Sequence, residues 1–403
     1  MKIAIIGLGK LGMSCALAIE SKGHEVRGYD TNPEVANILN TKKLPCIEDG
    51  ADELLKNTKI SLHPPSELCE WADIVFIAVQ TLHEPMYEGI TPLPNTRKDF
   101  DYAFLVRAVK SAINAKILVV ISTVLPGTIR REILPIRDVI YNPFFIAMGT
   151  TINDFLNPEF VLMGSEPPKS ITVESYSSLH VLNAFYATIH RQELFNCSIE
   201  EAEIIKVSYN TYLTAKICIA NTIMEVCHKV GNANCDNVTK ALSLATDRII
   251  SSKYMKGGMG DGGNCHPRDA IAMSWLSKNL NLSYDIYEKL LECRESQTKW
   301  LAEQCGDKVI ILGKAFKKNT NITAGSCAVL ITHFLKEWIP YDPHVSTDFH
   351  KPKSTGLYFI ATEHDVFKDY DFPEGSVVID PFRFIEPKPH FKLIRIGDST
   401  WIH

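Results

Sequence analysis

KIAIIGLGKLGMSCALAIESKGHEVRGYD, residues 2–30, is the stretch whose reading decides the fold. Lys2–Ile6 is a short apolar run of buried-strand type. Gly7-Leu8-Gly9-Lys10-Leu11-Gly12 follows at once, Met13–Ser21 has helical character, and Glu25–Tyr29 forms a second strand that ends at Asp30. Glycines in this spacing allow a tight turn and a close backbone approach to a pyrophosphate, whose charge suits a helix N-terminus. Asp30 is placed to accept hydrogen bonds from ribose hydroxyls. A carboxylate there repels a 2′-phosphate, so the expected cofactor is NAD rather than NADP. Gly7, Gly9, Leu11, Gly12 and Asp30 are the candidate cofactor contacts.

Working outward, Ala72–Ala78 (ADIVFIA) and Lys116–Ile121 (KILVVI) are further buried strands of a parallel sheet, with a shorter one at Val139–Tyr141 and a helix near Tyr102–Ile113. Ligands sit beyond the carboxyl ends of such strands. Thr81 and Thr123 stand at two of those ends and are candidate contacts; Thr123 reads equally as a cap for a helix near Gly127–Ile133. Gln80–Phe100 is long, unpatterned and Pro-containing, a possible lid.

Ser198 caps one long helical pattern that ends at Gly231, far beyond the usual length of about 12 residues. Lys206 and Asn210 share one face of it at i, i+4, although a lysine alone reads first as a solvated charge. Shorter helices follow at Cys235–Thr246, His266–Lys278 and Ser283–Cys305. Between them lies Gly257–Asp269, GGMGDGGNCHPRD. Pro267 suits the first position of a helix, so Cys265 would sit just before a positive dipole end that favours thiolate, with Asp269 within the first turn. Read alone, the stretch fits equally a glycine-rich turn with a structural cysteine.

Strand patterning restarts at Asp307–Gly313 and continues at Ile339–Tyr341, Tyr358–Ala361, Ser376–Ile379 and Leu393–Ile396, with a helix expected from about Gly325 to Trp338. Lys317 and Lys318 follow a strand end, as phosphate contacts or as surface charge. The expected architecture is α/β: two Rossmann-like doubly wound domains, at 1–195 and 306–403, joined by a central helical domain at 196–305 with one long helix.

A net charge of −5 gives no basic footprint for nucleic acid. Eleven cysteines, odd in number and without C-x-x-C spacing, fit reduced cytoplasmic thiols rather than a disulfide frame or a zinc site, so no metal is expected. The apolar residues of Met1–Leu17 are interrupted by the glycines, which disfavours a leader peptide, and no run is long enough to span a membrane.

Taken in order, the motifs resemble the UDP-glucose/GDP-mannose dehydrogenase family over nearly the whole chain. They are Gly7-Leu8-Gly9-Lys10-Leu11-Gly12, Asp30, Ser122-Thr123-Val124, Pro126-Gly127-Thr128, Ala202-Glu203 with Lys206 and Asn210, Ala215-Lys216-Ile217 with Asn221, Gly262-Gly263-Asn264-Cys265 with Pro267-Arg268-Asp269, Ala315-Phe316-Lys317-Lys318-Asn319-Thr320, and Tyr341-Asp342-Pro343. The resemblance implies an NAD-dependent oxidation of the C6 alcohol of a nucleotide sugar to a carboxylate, UDP-glucose being the default substrate. It implies Cys265 as a nucleophile passing through a thiohemiacetal and a thioester. Lys206 and Asn210 would stabilise the oxyanion, Asp269 would assist proton transfer, and Thr123 would place a water or the nicotinamide. It further implies substrate contacts at Tyr254, Lys256, Gly262, Phe316 and Lys317, and at Arg248 across a homodimer or higher homo-oligomer.

There are departures. Phe144 and Met148 stand where the family has glutamates, one of them its usual general base, and Gln80 stands for a proline. An arginine is missing near Asn321–Ala324. Glu159, in a second Asn-Pro-Glu-Phe at Asn157–Phe160, reads as a loop residue rather than a displaced catalyst. Oxidation of another sugar or only as far as the aldehyde, and nucleotide-sugar binding without catalysis, are the alternatives these departures leave.

Overall fold

The structure is a computed structural model that describes residues 1–45, 48–81, 98–147, 149–166, 173–230, 232–251, 256–260, 266–345 and 351–398. It divides into two compact units, Met1–Thr214 and Ala215–His403.

The first unit begins as the opening stretch predicts: β1 (Lys2–Ile6), α1 (Lys10–Ser21) and β2 (Glu25–Tyr29). There follow α2 (Glu34–Thr41), α3 (Ala51–Asn57), β3 (Ser61–Leu62), α4 (Pro65–Trp71), β4 (Ile74–Ile77), α5 (Ala103–Ser111), β5 (Leu118–Val120), a π-helical turn at Ile129–Ile133, and β6 (Ile140–Tyr141). Then come α6 (Thr151–Leu156), β7 (Val161–Gly164), α7 (Val173–Ala187), β8 (Leu194–Cys197) and α8 (Ile199–Val230), which runs on into the second unit. The eight strands lie in the order β3-β2-β1-β4-β5-β6-β7-β8, parallel except at the β6–β7 pair. Its first six strands follow the order of a doubly wound dinucleotide fold, whose ligand crevice lies where the order reverses, between β1 and β4.

Alternation along the strands sends buried side chains to both faces. Ile3, Ile5, Phe76 and Val119 pack under α1 and α7 residues on one side, and Ala4, Ile6, Val75, Ile77 and Val120 pack under α4 and α5 residues on the other. The N-terminus of α8 is set by a capping box: the Ser198 hydroxyl and backbone N–H both donate to Glu201, and the Glu201 N–H donates back to the Ser198 hydroxyl.

In the second unit, α9 (Cys235–Ser243), α10 (His266–Asn279) and α11 (Ile286–Glu303) precede β9 (Lys308–Leu312), α12 (Cys327–Leu330), β10 (Glu337–Tyr341), β11 (Leu357–Ile360), β12 (Ser376–Asp380) and β13 (Phe391–Arg395). The five-stranded sheet is all parallel in the order β10-β9-β11-β12-β13. This is the other common doubly wound order, with its reversal between β9 and β11. The helix expected from Gly325 to Trp338 is shorter than that. Four residues of α12 and a 3-10 turn at Ile331–Phe334 are all that form, and Trp338 lies in β10. A run of β-branched and aromatic residues reads as helix or strand until its pairing is known, and here Trp338 pairs with Val309.

Two fully or nearly buried carboxylates organise the strand ends of this sheet. Asp380 accepts four backbone N–H groups, from Phe382 and Arg383 on one oxygen and from Phe384 and Ile385 on the other, at 2.7–2.9 Å. Asp342 accepts from the Lys314, Ala315 and His344 N–H groups and pairs with His364 at 3.1 Å. Burial pushes the Asp342 carboxyl up, but the hydrogen bonds from His364 and these N–H groups outweigh it and hold the group at about 2. Since His364 Nδ1 accepts from the Asn319 N–H, its Nε2 carries the proton given to Asp342. An Asp380→Ala variant removes the acceptor of four N–H groups at once, one buried and three partly so. It is expected to lose about 3 kcal/mol or more of stability in a urea or thermal melt, whereas an unchanged melt would mean that water replaces the carboxylate.

Candidate active site

The cofactor crevice is built as its glycines require. Gly7 has φ +99°, and a Cβ there would lie 2.8 Å from the Ala78 carbonyl at the end of β4. A Cβ on Gly12 would overlap the Gly7 carbonyl oxygen. A Cβ on Gly9 would meet nothing, so the space over Gly9 and the first turn of α1 is open to a ligand. Asp30 Oδ2 accepts the Leu8 N–H at 2.7 Å and Oδ1 accepts the Asn32 N–H at 2.8 Å. The carboxylate is therefore tied into the glycine turn. Leu11 is half-buried, packed against the core on its inner side. The open space at Gly9 and the acid at the end of β2 fit the demands of an NAD cradle.

The carboxyl ends of β4 and β5 meet there. The Thr81 hydroxyl donates to the Thr123 carbonyl at 2.9 Å, and the Ser122 hydroxyl to the Val79 carbonyl at 2.6 Å. Thr123 is half-buried and does not cap the π-helical turn, whose flanking residue is Thr128. The two threonines expected from sequence are thus brought together.

Lys206 enters from α8. Ile199, Ala202, Glu203 and Lys206 form the buried stripe of its first two turns, so an acid and an amine lie on an otherwise apolar face. Glu203 is fully buried and accepts the Gly127 N–H at 2.6 Å and the Ile129 N–H at 2.7 Å, which fastens α8 to the connection after β5. Burial raises the Glu203 pKa, while these two N–H groups pull the other way. Sequence reading missed this role. The available signal was an acid at i, i+4 from Ile199 on the apolar side of the helix.

One turn on, Lys206 is 7% exposed. Its Nζ donates to the Phe144 carbonyl at 2.7 Å and lies 5.0 Å from the centre of the Phe145 ring. No carboxylate pairs with it among the described residues, and burial lowers its pKa. A buried cation of this kind is poised for a negative charge that arrives with a ligand or develops in a reaction. Asn210, one turn further, is exposed. Phe144 turns its ring into the core at 5.4 Å from Phe155 and lines a small cleft, about 20 Å³, with Asn142, Phe145, Asp154, Tyr186 and His190.

In the second unit, Arg248 and Lys317 are exposed, Phe316 is half-buried beneath the Lys317 amine (5.3 Å), and Lys256 pairs with Glu363 at 3.1 Å. Phe316 and Lys317 follow β9 at the reversal of strand order. Asp269 lies on α10, with its side chain outside the described atoms, and Tyr254, Gly262, Cys265 and Met148 lie outside the described residues, as does most of the stretch expected as a lid. No group of three or more His, Cys, Asp or Glu among the described residues could hold a metal ion, and no described helix is long and apolar enough to cross a membrane.

Comparison with known proteins gives this geometry its context. The NAD-binding domain of the UDP-glucose/GDP-mannose dehydrogenase family matches residues 1–190, and the central domain of the same family matches residues 200–295. The chain belongs to that family, and it is an NAD-dependent nucleotide-sugar 6-dehydrogenase, an oxidoreductase acting on a CH–OH group. It is 27% identical to UDP-glucose 6-dehydrogenase of Drosophila melanogaster, over 92% of this chain and 89% of that one. It is also 27% identical to GDP-mannose 6-dehydrogenase of Pseudomonas putida, over 80% and 75%. A solved GDP-mannose dehydrogenase from Pseudomonas aeruginosa shares the fold, with a TM-score of 0.84 at 22% identity over 98% of this chain and 99% of that one.

Lys206→Met tests the buried amine. Because burial lowers its pKa below the ordinary 10.5, the unfolded chain holds the extra proton between the two values, and wild-type stability rises with pH across that window. The variant should lack this rise and melt no more than about 1 kcal/mol below wild type at neutral pH, since one hydrogen bond is lost as one desolvation penalty disappears. Turnover should fall by about 10²–10³-fold.

Proposed function

We propose that this protein carries out the full four-electron oxidation of a nucleotide sugar at C6, with UDP-glucose to UDP-glucuronate the first substrate to test, through a cysteine-bound intermediate. The single observation that carries the reading is Lys206, a buried amine without a carboxylate partner, held by the Glu203 clamp at the carboxyl edge of an NAD-type sheet. When bound, NAD supplies the acceptor for hydride. The chain's own residues do the rest. Lys206, with Asn210 as a second donor, lowers the energy of alkoxide and oxyanion at the reacting carbon. The Cys265 thiolate would add to the aldehyde to give a thiohemiacetal, which becomes a thioester by giving up its C6 hydride to a second NAD and its hydroxyl proton, and water releases the product from the thioester with Asp269 assisting proton transfer. Thr123 orders a water or the nicotinamide at the end of β5, beside Thr81.

Tyr254, Lys256, Gly262, Phe316 and Lys317 are assigned to the nucleotide-sugar, and Arg248 to the substrate of a second copy. We carry the division into 1–195, 196–305 and 306–403 as the functional one. One observation favours a second reading, oxidation that stops at the aldehyde: the Phe144 ring packs on Phe155, so residue 144 brings no base to the hydrolytic step.

Counting NADH per sugar, with NAD in excess and a panel of UDP- and GDP-sugars, decides between the two. Two NADH per sugar are expected, with Cys265→Ala losing the second. One NADH in the wild type would establish the aldehyde as product, and a Cys265→Ala enzyme as productive as wild type would overturn the thioester route.

The homodimer is part of the proposal. Helix α9 has no buried residue in the single chain, and Ile219 and Met224 of α8, Val238 and Leu242 of α9, Ile271 of α10 and Trp300 of α11 are all more than a third exposed. Apolar exposure on this scale in consecutive helices fits cover by a second copy. Light scattering after size exclusion should give twice the chain mass, or a higher even multiple, and a Val238→Asp/Leu242→Asp pair should shift it toward the monomer.

A further inference from the structure

Lys206 does not stand alone on its helix face. Tyr209 follows it at i+3, and both residues pack on one ring: the Phe145 centre lies 4.6 Å from the Tyr209 ring centre and 5.0 Å from Lys206 Nζ. Phe145 is held in turn by Phe160 at 4.8 Å. The Tyr209 hydroxyl donates to Glu159 Oε2 at 3.3 Å. Glu159 does lie in a loop, between α6 and β7, but its carboxylate reaches across to α8 and is exposed to water at its outer side. The phenol, the amine and the carboxylate therefore line one aromatic platform, with the carboxylate on the solvent side.

We propose that Tyr209, held by Glu159, carries the proton released when the sugar alcohol is oxidised. This rests on the reading that Lys206 marks the place of the reacting carbon. In the step, the C6–H bond breaks and its electron pair passes as hydride to the NAD that the established activity supplies. The O–H proton of the alcohol passes to Tyr209 Oη as the phenolic proton passes to a Glu159 oxygen, and the C=O bond forms. Glu159 then yields the proton to bulk water. One hydride, which carries the electron pair, and one proton leave the alcohol, and Tyr209 ends as it began.

Three features suit the groups to this task. Burial first, and then the Glu159 charge, raise the Tyr209 pKa, so the phenol is present as a donor at every working pH. The other carboxylate that acts on it, Asp154, is already engaged by the Ala147 N–H at 3.0 Å and the Thr150 hydroxyl at 2.9 Å, which leaves Glu159 as the acceptor. Lys206, the facing cation, has its proton directed to the Phe144 carbonyl and favours the alkoxide without needing to take its proton.

Tyr209→Phe keeps the ring on Phe145 and deletes only the relay atom. The expected result is a fall in kcat of at least about tenfold, with KM for sugar and NAD within about twofold and an unchanged melting temperature. Glu159→Gln should lower kcat by a similar factor and shift the acidic limb of kcat against pH, and the double variant should fall no further than either single one, since the two act as a unit. A Tyr209→Phe enzyme with wild-type kcat and pH profile overturns the proposal. Lys206→Met, measured alongside, separates the two failures. If it loses turnover while Tyr209→Phe does not, the relay is wrong and the site stands. If it also turns over as wild type, the site assignment fails and the relay with it.

Discussion

The first unit depends on one buried carboxylate. Glu203 has no contact with water and no cation paired with it among the described residues, and it is kept ionisable by two backbone N–H groups at the turn after β5. Leaving a carboxylate in such a place without partners would cost several kcal/mol. With them, the first turns of α8 can be attached at one point only. That attachment sets the helix's rotation as well as its position. Lys206, three residues on, is carried to the Phe144 carbonyl, and Tyr209 to the Phe145 ring. The capping box at Ser198 starts the helix, but it would start it equally well at other angles.

Burying Lys206 runs against stability. Its desolvation is offset by one carbonyl hydrogen bond and a neighbouring ring, without an opposite charge among the described residues. In the proposed reaction the counter-charge of this cation arises only with substrate or in the transition state, so it would be stabilised at that moment and not before. Phe144 shows the opposite choice. Its ring adds to the core beside Phe155, and whatever a polar residue could do at that position is given up. The chain's remaining acid–base groups must then come from elsewhere, which gives weight to the carboxylate that meets Tyr209.

The second unit solves the strand-end problem in the same currency of buried acids. Asp342 ties the loops after β9, β10 and, through His364, β11 at the reversal of strand order, and Asp380 folds the loop after β12 around itself. From that loop Arg383 reaches the Gly257 carbonyl at 2.6 Å, and Phe382 lies so close to Gly258 that a Cβ there would stand 2.8 Å from its ring. Gly258, near the start of the cysteine stretch, is thus needed for close approach to the neighbouring loop.

Sequence by itself determined the local and periodic features. The strand–glycine–helix–strand–acid unit at residues 2–30, the apolar runs of both sheets, the Ser198 start of α8 and the i, i+4 face of Lys206 and Asn210 were all legible, because short-range sterics and side-chain periodicity act within a few residues of chain. Tertiary structure alone decided the rest. The 2-1-3-4-5 order of the second sheet, the strand at Trp338 where a helix was expected, the Glu203 clamp, the burial of Lys206 and the meeting of Glu159 with Tyr209 all join residues distant in the chain. Whether an acid or an amine is solvated or buried depends on the partners that folding brings to it, and no local pattern of residue types contains that information.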